Sequence, residues 1–166
     1  NEVTVIMERN MRIKYEKSFG GREKHWQCKL KKDRTNDCVV RALAHATDTD
    51  YLVVWNELFD LGKEIGFLPD EPRCYERWLS DRGWVKHSPL THSGRKKYSL
   101  KNIPILPYRN YIFVTCGHLT AIVEGVLLDS WDCRPWKANS YFTKNTDRHP
   151  SSEKLGDDSY HALYGE

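Results

Sequence analysis

The sequence lacks any apolar run that approaches the roughly 20 residues of a membrane-spanning helix. Residues 1–17 contain one apolar run only, and it is too short for the core of a secretory signal. The chain does not begin with methionine, which is consistent with a leader that processing has removed. These absences predict a protein that does not span a membrane.

The sequence also lacks an even, regularly spaced set of cysteines. The five cysteines are odd in number and irregularly spaced, and no two of them form a C-x-x-C pair. This pattern argues against a disulfide framework and against a zinc knuckle. It favours a reducing, cytoplasmic compartment in which thiols stay free. The cysteines are Cys28, Cys38, Cys74, Cys116 and Cys133.

The chain has no strong excess of positive or negative charge, since its net charge is only +3 over 166 residues. Basic residues cluster at 22–34 and 95–97, but no array of stacking aromatics or recognition helix accompanies them. Solvated surface is the simplest interpretation, and a site for phosphate or an acidic substrate is the alternative. The sequence therefore disfavours nucleic acid as a partner. The histidines show no spacing typical of metal ligands, so we expect no metal and no cofactor.

The length of the chain and the periodicity of its apolar residues suit one domain of the α+β class. Helical periodicity dominates the first half, and β-branched and aliphatic runs dominate after Gly83, which predicts helices packed on an antiparallel sheet. We expect an N-terminal strand and basic loop extension at 1–34, a compact core at 35–143 and a polar tail at 144–166.

Individual elements follow from caps and periodicity. Alternating apolar residues in 1–16 predict one or two edge strands or a clasp on the domain. Two β-branched runs on either side of Glu124 and Gly125 predict a hairpin, and Tyr141 and Phe142 predict one more edge strand. The predicted helices cover 37–46, 51–65 and 71–81, and the predicted short strands cover 84–87 and 97–98.

A cysteine stands at the start of the first predicted helix. Cys38 follows Asn36 and Asp37, either of which offers a side-chain oxygen as the N-cap. A thiol in a first helical turn faces unpaired backbone N–H groups and the positive end of the helix dipole, and both stabilise a thiolate. This environment is typical of a reactive cysteine. Ordinary packing is the alternative, because cysteine is among the most buried residue types.

The predicted hairpin supplies a histidine and an acid. If Glu124 and Gly125 are the central residues of a tight turn, His118 and Asp129 share one face of neighbouring strands, and the opposite face forms the core. A carboxylate in that place orients an imidazole, so that the ring can accept a proton from a thiol. A turn of another length reverses the alternation and makes Asp132, instead of Asp129, the acid on the face of His118. A structural histidine and a turn-forming Asp are the simpler alternatives.

The segments NDCVVRALAHAT, RGWVKHSP and GHLTAIVEGVLLDSWD stand in this order in the chain. Together they resemble small phage- and prophage-encoded proteins with a papain-like cysteine protease fold. More distantly they are similar to the bacteriocin-processing C39-type peptidases and the cell-wall NlpC/P60 enzymes. The resemblance spans about residues 35–133 and implies a papain-like catalytic core.

In such proteins a cysteine on the central helix attacks, a histidine on the sheet is the base, and an Asp or Asn on the next strand orients it. By position these residues are Cys38, His118 and Asp129, in the order that papain-like enzymes have. Lys32 stands where papain has a glutamine that donates to the oxyanion. The resemblance therefore leaves the backbone N–H of Cys38 and the side-chain amide of Asn36 as oxyanion donors.

The resemblance implies a cysteine peptidase that hydrolyses peptide or isopeptide bonds through a Cys-His-Asp triad and a thioester. We expect Asp37, Gly117 and Trp131 to line the site. The substrate would be a protein or peptide of a bacterial host, in whose cytoplasm a bacteriophage enzyme acts, with specificity set by loops 86–97 and 104–110. A glutamine deamidase, transglutaminase or other acyltransferase is one alternative. A non-catalytic phage protein that binds a host factor is the other.

Overall fold

A computed structural model of the chain describes residues 12–26 and 35–145. Within these ranges it contains three α-helices, a six-stranded sheet and a two-stranded sheet, which confirms the α+β class. The helices are α1 (Cys38–Thr47), α2 (Tyr51–Ile65) and α3 (Pro72–Ser80). The strands are β1 (Lys14–Lys17), β2 (Trp84–His87), β3 (Thr91–His92), β4 (Lys96–Lys97), β5 (Asn110–Val114), β6 (Leu119–Val123), β7 (Val126–Asp129) and β8 (Ser140–Lys144).

The three helices begin and end within one residue of their predicted bounds. Asp50 caps α2, because its side chain accepts a hydrogen bond from the backbone N–H of Leu52 at 2.9 Å. Gly66 ends the same helix with a φ of 78°, a left-handed conformation that glycine adopts without strain. Pro72 begins α3, where its missing N–H removes no helical hydrogen bond. In the described ranges, no helix is long and apolar enough to cross a bilayer.

Parts of three predicted regions lie outside the described ranges. They are residues 1–11 of the N-terminal extension, residues 27–34 of the basic segment with Cys28, and residues 146–166 of the polar tail. The described part of the extension belongs to the main sheet, since β1 forms one edge of it and Ile13 is fully buried. The predicted edge strand is therefore confirmed at Lys14–Lys17.

The larger sheet has the strand order β1-β7-β6-β5-β8-β2. Strand β1 runs parallel to β7, and the other neighbouring pairs are antiparallel. The parallel pair is possible because a long stretch of chain, with all three helices, separates β1 from β7. The sheet therefore remains mostly antiparallel, as the sequence predicted.

Two details of the later strands differ from the predictions. Tyr141 and Phe142 lie in β8, which is not an edge strand, because β5 and β2 pair with its two sides. Ring contacts favour this inner position, since the Tyr141 ring stacks on His87 at 4.7 Å and lies 5.6 Å from Phe113. The strand predicted at 97–98 is observed one residue earlier as β4, which pairs with β3 in the small second sheet.

The hairpin of β6 and β7 has the predicted register. Ile122 pairs with Leu127, and the same alternation places His118 and Asp129 on one face of the two strands. His118 comes one residue before β6, and Asp129 is the last residue of β7. The turn residues both have the positive φ that a type I′ turn requires, and they are Glu124 at 49° and Gly125 at 79°.

Both faces of the sheet are buried, whereas the sequence predicted a core on one face. Helix α1 covers the face that carries Leu119 and Ala121. The opposite face carries Ile122 and Leu127, which are also fully buried. The second core forms because the connection between β4 and β5 packs against this face with the apolar side chains Leu100, Ile103 and Ile105.

Leu127→Ala should lower the free energy of unfolding by about 2–5 kcal/mol, because removing a fully buried side chain leaves a cavity. The same substitution at Leu68, which is 65% exposed, should change it by less than about 0.5 kcal/mol. Urea unfolding followed by circular dichroism measures both. Equally small losses at the two positions would contradict a second core on this face.

Candidate active site

Cys38 is the first residue of α1, and its side chain is partly exposed. Asn36, with a φ of 52°, turns the backbone into the helix. Burial raises the pKa of the thiol, but hydrogen bonds from the His118 ring and from the backbone N–H of Leu119 outweigh burial and lower the pKa overall. The thiolate is therefore stabilised by the start of β6 as well as by its own helix.

His118 lies against the carboxylate that ends β7. Its Nε2 is 2.6 Å from Oδ2 of Asp129, and the two side chains are only 10% and 3% exposed. Because the carboxylate occupies Nε2, the other ring nitrogen, Nδ1, is left to exchange a proton with Cys38. The structure thus brings the three residues predicted from sequence together in the order thiol, imidazole and carboxylate.

The charges of these three groups depend on one another. Burial lowers the pKa of His118, but hydrogen bonds with Asp129, Cys133 and Cys38 raise it to about 11. Burial also acts to raise the pKa of Asp129, but the hydrogen bond and charge of His118, together with Arg41, lower it. With the pKa of Cys38 lowered as well, both shifts favour a thiolate and an imidazolium, the reactive form of a cysteine–histidine site.

A buried arginine binds the other oxygen of the same carboxylate. Arg41, one turn after Cys38 on α1, donates from Nη2 to Oδ1 of Asp129 at 3.2 Å. The backbone N–H of Ser130 donates to the same Oδ1 at 2.7 Å. Two donors therefore fix Oδ1, and Oδ2 is left facing His118.

Asp37 also binds this arginine, although the sequence predicted its side chain, or that of Asn36, as the helix cap. It occupies the N-cap position of α1, but its side chain makes no capping hydrogen bond. Its Oδ1 accepts a hydrogen bond from Nη1 of Arg41 instead. Its Oδ2 accepts from the hydroxyl of Tyr51 at 2.5 Å and from Nη1 of Arg22 at 3.2 Å. The capping prediction is wrong because a buried carboxylate needs its charge compensated more than the helix needs a side-chain cap.

Two exposed tryptophans form one side of the site. The ring centroids of His118 and Trp131 are 5.1 Å apart, and those of Trp131 and Trp136 are 5.0 Å apart. The tryptophans are 38% and 41% exposed. Gly117, directly before His118, is exposed with a φ of 69°. Trp131 therefore shields one side of the imidazole, while Gly117 adds no side chain beside it.

Two other residues predicted for the site lie apart from the imidazole–carboxylate contact. Asp132 is exposed, and its carboxylate binds the side chain of Arg134 at 2.7 and 2.8 Å. The observed register makes Asp129, and not Asp132, the acid that contacts His118. Asn36 is exposed and precedes the N-cap residue, so it is not the cap of α1 either.

Sequence reasoning missed two residues that contact the site. Arg41 is the only charged residue in the apolar run VVRALA of α1, and a lone charge in such a run is a signal for a buried ion pair. Cys133 lies with its Sγ 3.7 Å from Oδ2 of Asp129. Its position depends on how the chain bends after β7, and no sequence pattern marks that bend.

Comparison with protein-family models, with curated proteins and with solved structures finds no match to this chain. The functional argument therefore depends on the residues of the site and their contacts.

Arg41→Met should lower the free energy of unfolding by about 3–5 kcal/mol, because it leaves two buried carboxylates without their shared counter-charge. The matched control is Arg77→Met, since Arg77 and Asp81 are also an arginine–aspartate pair four residues apart, but exposed. Loss of this exposed pair should lower the free energy of unfolding by less than about 1 kcal/mol. Urea unfolding at neutral pH measures both, and equal losses would contradict a structural role for the buried pair.

Iodoacetamide should modify Cys38 at about pH 6 faster than it modifies the exposed Cys116, because a lowered pKa keeps more of the Cys38 thiol ionised as pH falls. The buried Cys74, whose pKa burial raises, should react last. Peptide mass spectrometry over a pH series measures each rate. His118→Ala should move the Cys38 profile to higher pH. A profile that does not move would contradict the thiolate–imidazolium pair.

Proposed function

We propose that this protein is a cysteine hydrolase that cleaves an amide bond, of the peptide or isopeptide kind, through a thioester. The observation that carries the proposal is the contact of His118 Nε2 with Asp129 at 2.6 Å, on an imidazole that lowers the pKa of the Cys38 thiol. A nucleophile, a base within reach of it and a group that orients the base are the parts that nucleophilic catalysis requires.

A papain-like fold is part of the proposal. In its support, the cysteine begins a helix that packs on a mostly antiparallel sheet. The histidine directly precedes one strand of that sheet, and the acid ends the adjacent strand. The order of the three residues along the chain also agrees with the resemblance to papain-like phage proteins. That resemblance supports a protein or peptide of a bacterial host as the substrate.

The reaction starts from the resting ion pair. The Cys38 thiolate attacks the carbonyl carbon of the amide, and the carbonyl oxygen becomes an oxyanion. The backbone N–H of Cys38, in the first turn of α1, has no carbonyl partner within the helix and is available to this oxyanion. We assign the exposed side-chain amide of Asn36 as the second hydrogen-bond donor to the oxyanion. Both donors act on charge that develops only as the bond forms.

Collapse of the tetrahedral intermediate breaks the carbon–nitrogen bond. The imidazolium of His118 gives its proton to the leaving amine, and Cys38 remains bound to the acyl group as a thioester. Neutral His118 then takes a proton from water, whose oxygen attacks the thioester carbonyl. Release of the carboxylic acid returns the thiolate and the imidazolium. Asp129, held by Arg41 and by the backbone of Ser130, keeps the ring in one orientation throughout.

Cys38→Ala should lower turnover of an amide substrate by at least about 1,000-fold, because loss of a nucleophile removes the covalent pathway. Asp129→Asn should also lower it, since an amide cannot stabilise the imidazolium. Cys116→Ser is the control, because this exposed thiol lies outside the triad. Turnover is measured by mass spectrometry of a bacterial lysate treated with each variant.

The products in that lysate identify the reaction. New peptide termini that depend on Cys38 support hydrolysis of peptide bonds. A gain of about one dalton on glutamine without new termini would instead identify a deamidase that uses the same thioester. A folded wild-type protein whose Cys38 does not react with a thiol-directed peptide probe would overturn the enzymatic proposal and favour a binding protein.

A further inference from the structure

A second thiol lies against His118 and Asp129, and the proposed reaction does not use it. Cys133 is fully buried, and its Sγ is 3.7 Å from Oδ2 of Asp129. The ligand atoms of His118, Asp129 and Cys133 all lie within 4.8 Å of one another. A ring nitrogen, a carboxylate oxygen and a sulfur therefore converge in one enclosed place.

One oxygen of the Asp129 carboxylate faces both His118 and Cys133. Arg41 and the backbone N–H of Ser130 already occupy Oδ1 of Asp129, so Oδ2 is the oxygen available to a ligand. Thr120 is buried beside both Asp129 and Cys133 and interacts with each of them.

The donor set and the distances suit zinc. Nitrogen, oxygen and thiolate sulfur at bond lengths of about 2.0–2.3 Å are the ligands that Zn²⁺ takes, in a tetrahedral arrangement. Such lengths separate a sulfur and an oxygen ligand by roughly 3.6 Å. The observed separation of Sγ from Oδ2 is 3.7 Å. The His118–Asp129 pair, at 2.6 Å, must open by roughly 0.8 Å to admit the ion, because the tetrahedral separation of nitrogen and oxygen ligands is about 3.4 Å.

We propose that His118, Asp129 and Cys133 form a zinc site that holds the protein in an inactive state. Zn²⁺ would bind Nε2, Oδ2 and the Cys133 thiolate, with one open coordination position. Binding replaces the proton of the Cys133 thiol and the Nε2 proton of the imidazolium, so two protons pass to solvent. The guanidinium of Arg41 donates to Oδ1 of Asp129, the oxygen that does not bind the metal, and so orients this ligand.

The inhibitory consequence rests on the proposed function, whereas the metal site does not. With Zn²⁺ on Nε2, the imidazole no longer has its carboxylate partner and no longer carries the extra proton that the leaving amine needs. Cys38 itself stays outside the ligand set. Zinc inhibition of this protein would therefore depend on Cys133, a residue that is not the nucleophile.

Titration calorimetry with Zn²⁺ and no substrate tests the site. Wild-type protein and Cys38→Ala should each bind one Zn²⁺ per chain. Cys133→Ser should bind more weakly by about 100-fold or more, since even the loss of an outer partner of a metal ligand costs about 10–100-fold. Cys74→Ser is the matched control, because this buried thiol hydrogen-bonds to the backbone of Leu58, away from the site, and it should bind as wild type does.

Cobalt gives a second readout that does not depend on activity. Co²⁺ should show a thiolate charge-transfer band in wild type and Cys38→Ala, and no such band in Cys133→Ser or in Cys133→Ala, with circular dichroism confirming that the variants are folded. No Zn²⁺ binding by wild type, or binding that Cys38→Ala abolishes and Cys133→Ser leaves unchanged, would overturn the proposed site.

If hydrolysis is also observed, the ratio of activity with and without Zn²⁺ should fall in wild type and in Cys74→Ser but not in Cys133→Ser. Equal inhibition of wild type and Cys133→Ser would overturn the inhibitory role. A protein that binds Zn²⁺ through Cys133 but hydrolyses nothing would keep the metal site and disprove the proposed function, so the two failures are distinguishable.

Discussion

The ion pairs of one buried guanidinium are the interaction on which the rest of the site depends. Arg41 binds Asp37 on its own helix and Asp129 at the end of β7, and all three side chains are nearly enclosed. Burying a carboxylate without a partner costs roughly several kcal/mol, and the cation shared by Asp37 and Asp129 offsets part of that cost for both. The same contacts fix the helix that carries Cys38 relative to the strand that carries the acid.

The charges around Arg41 explain how a Cys38 thiolate would be compensated in a partly buried place. Arg22, Arg41 and the His118 imidazolium are positive, and they lie in one connected network with the carboxylates of Asp37 and Asp129 and the sulfur of Cys38. Three positive and three negative groups balance. Because each charge has an opposite neighbour, ionisation of the thiol adds no uncompensated charge to the interior.

The α+β class and the imidazole–carboxylate contact were predictable because they depend on local patterns. Caps and glycine stops locate the helices, and the two turn residues Glu124 and Gly125 set the parity that puts His118 and Asp129 on one face. The contacts of Arg41 and Cys133 were not predictable, because each depends on how segments distant in sequence meet. The second core was missed for the same reason, since its cover comes from a connection without regular structure.

The two edges of the larger sheet have a consequence for association between molecules. In the described ranges the edge strands are β1 and β2, and three of the four residues of β1 are charged: Lys14, Glu16 and Lys17. A strand added from another molecule would have to approach these charges, and β2 carries Lys86 in the same way. Charged edges of this kind oppose edge-to-edge pairing, so the two described edges of the sheet disfavour its extension from one molecule to the next.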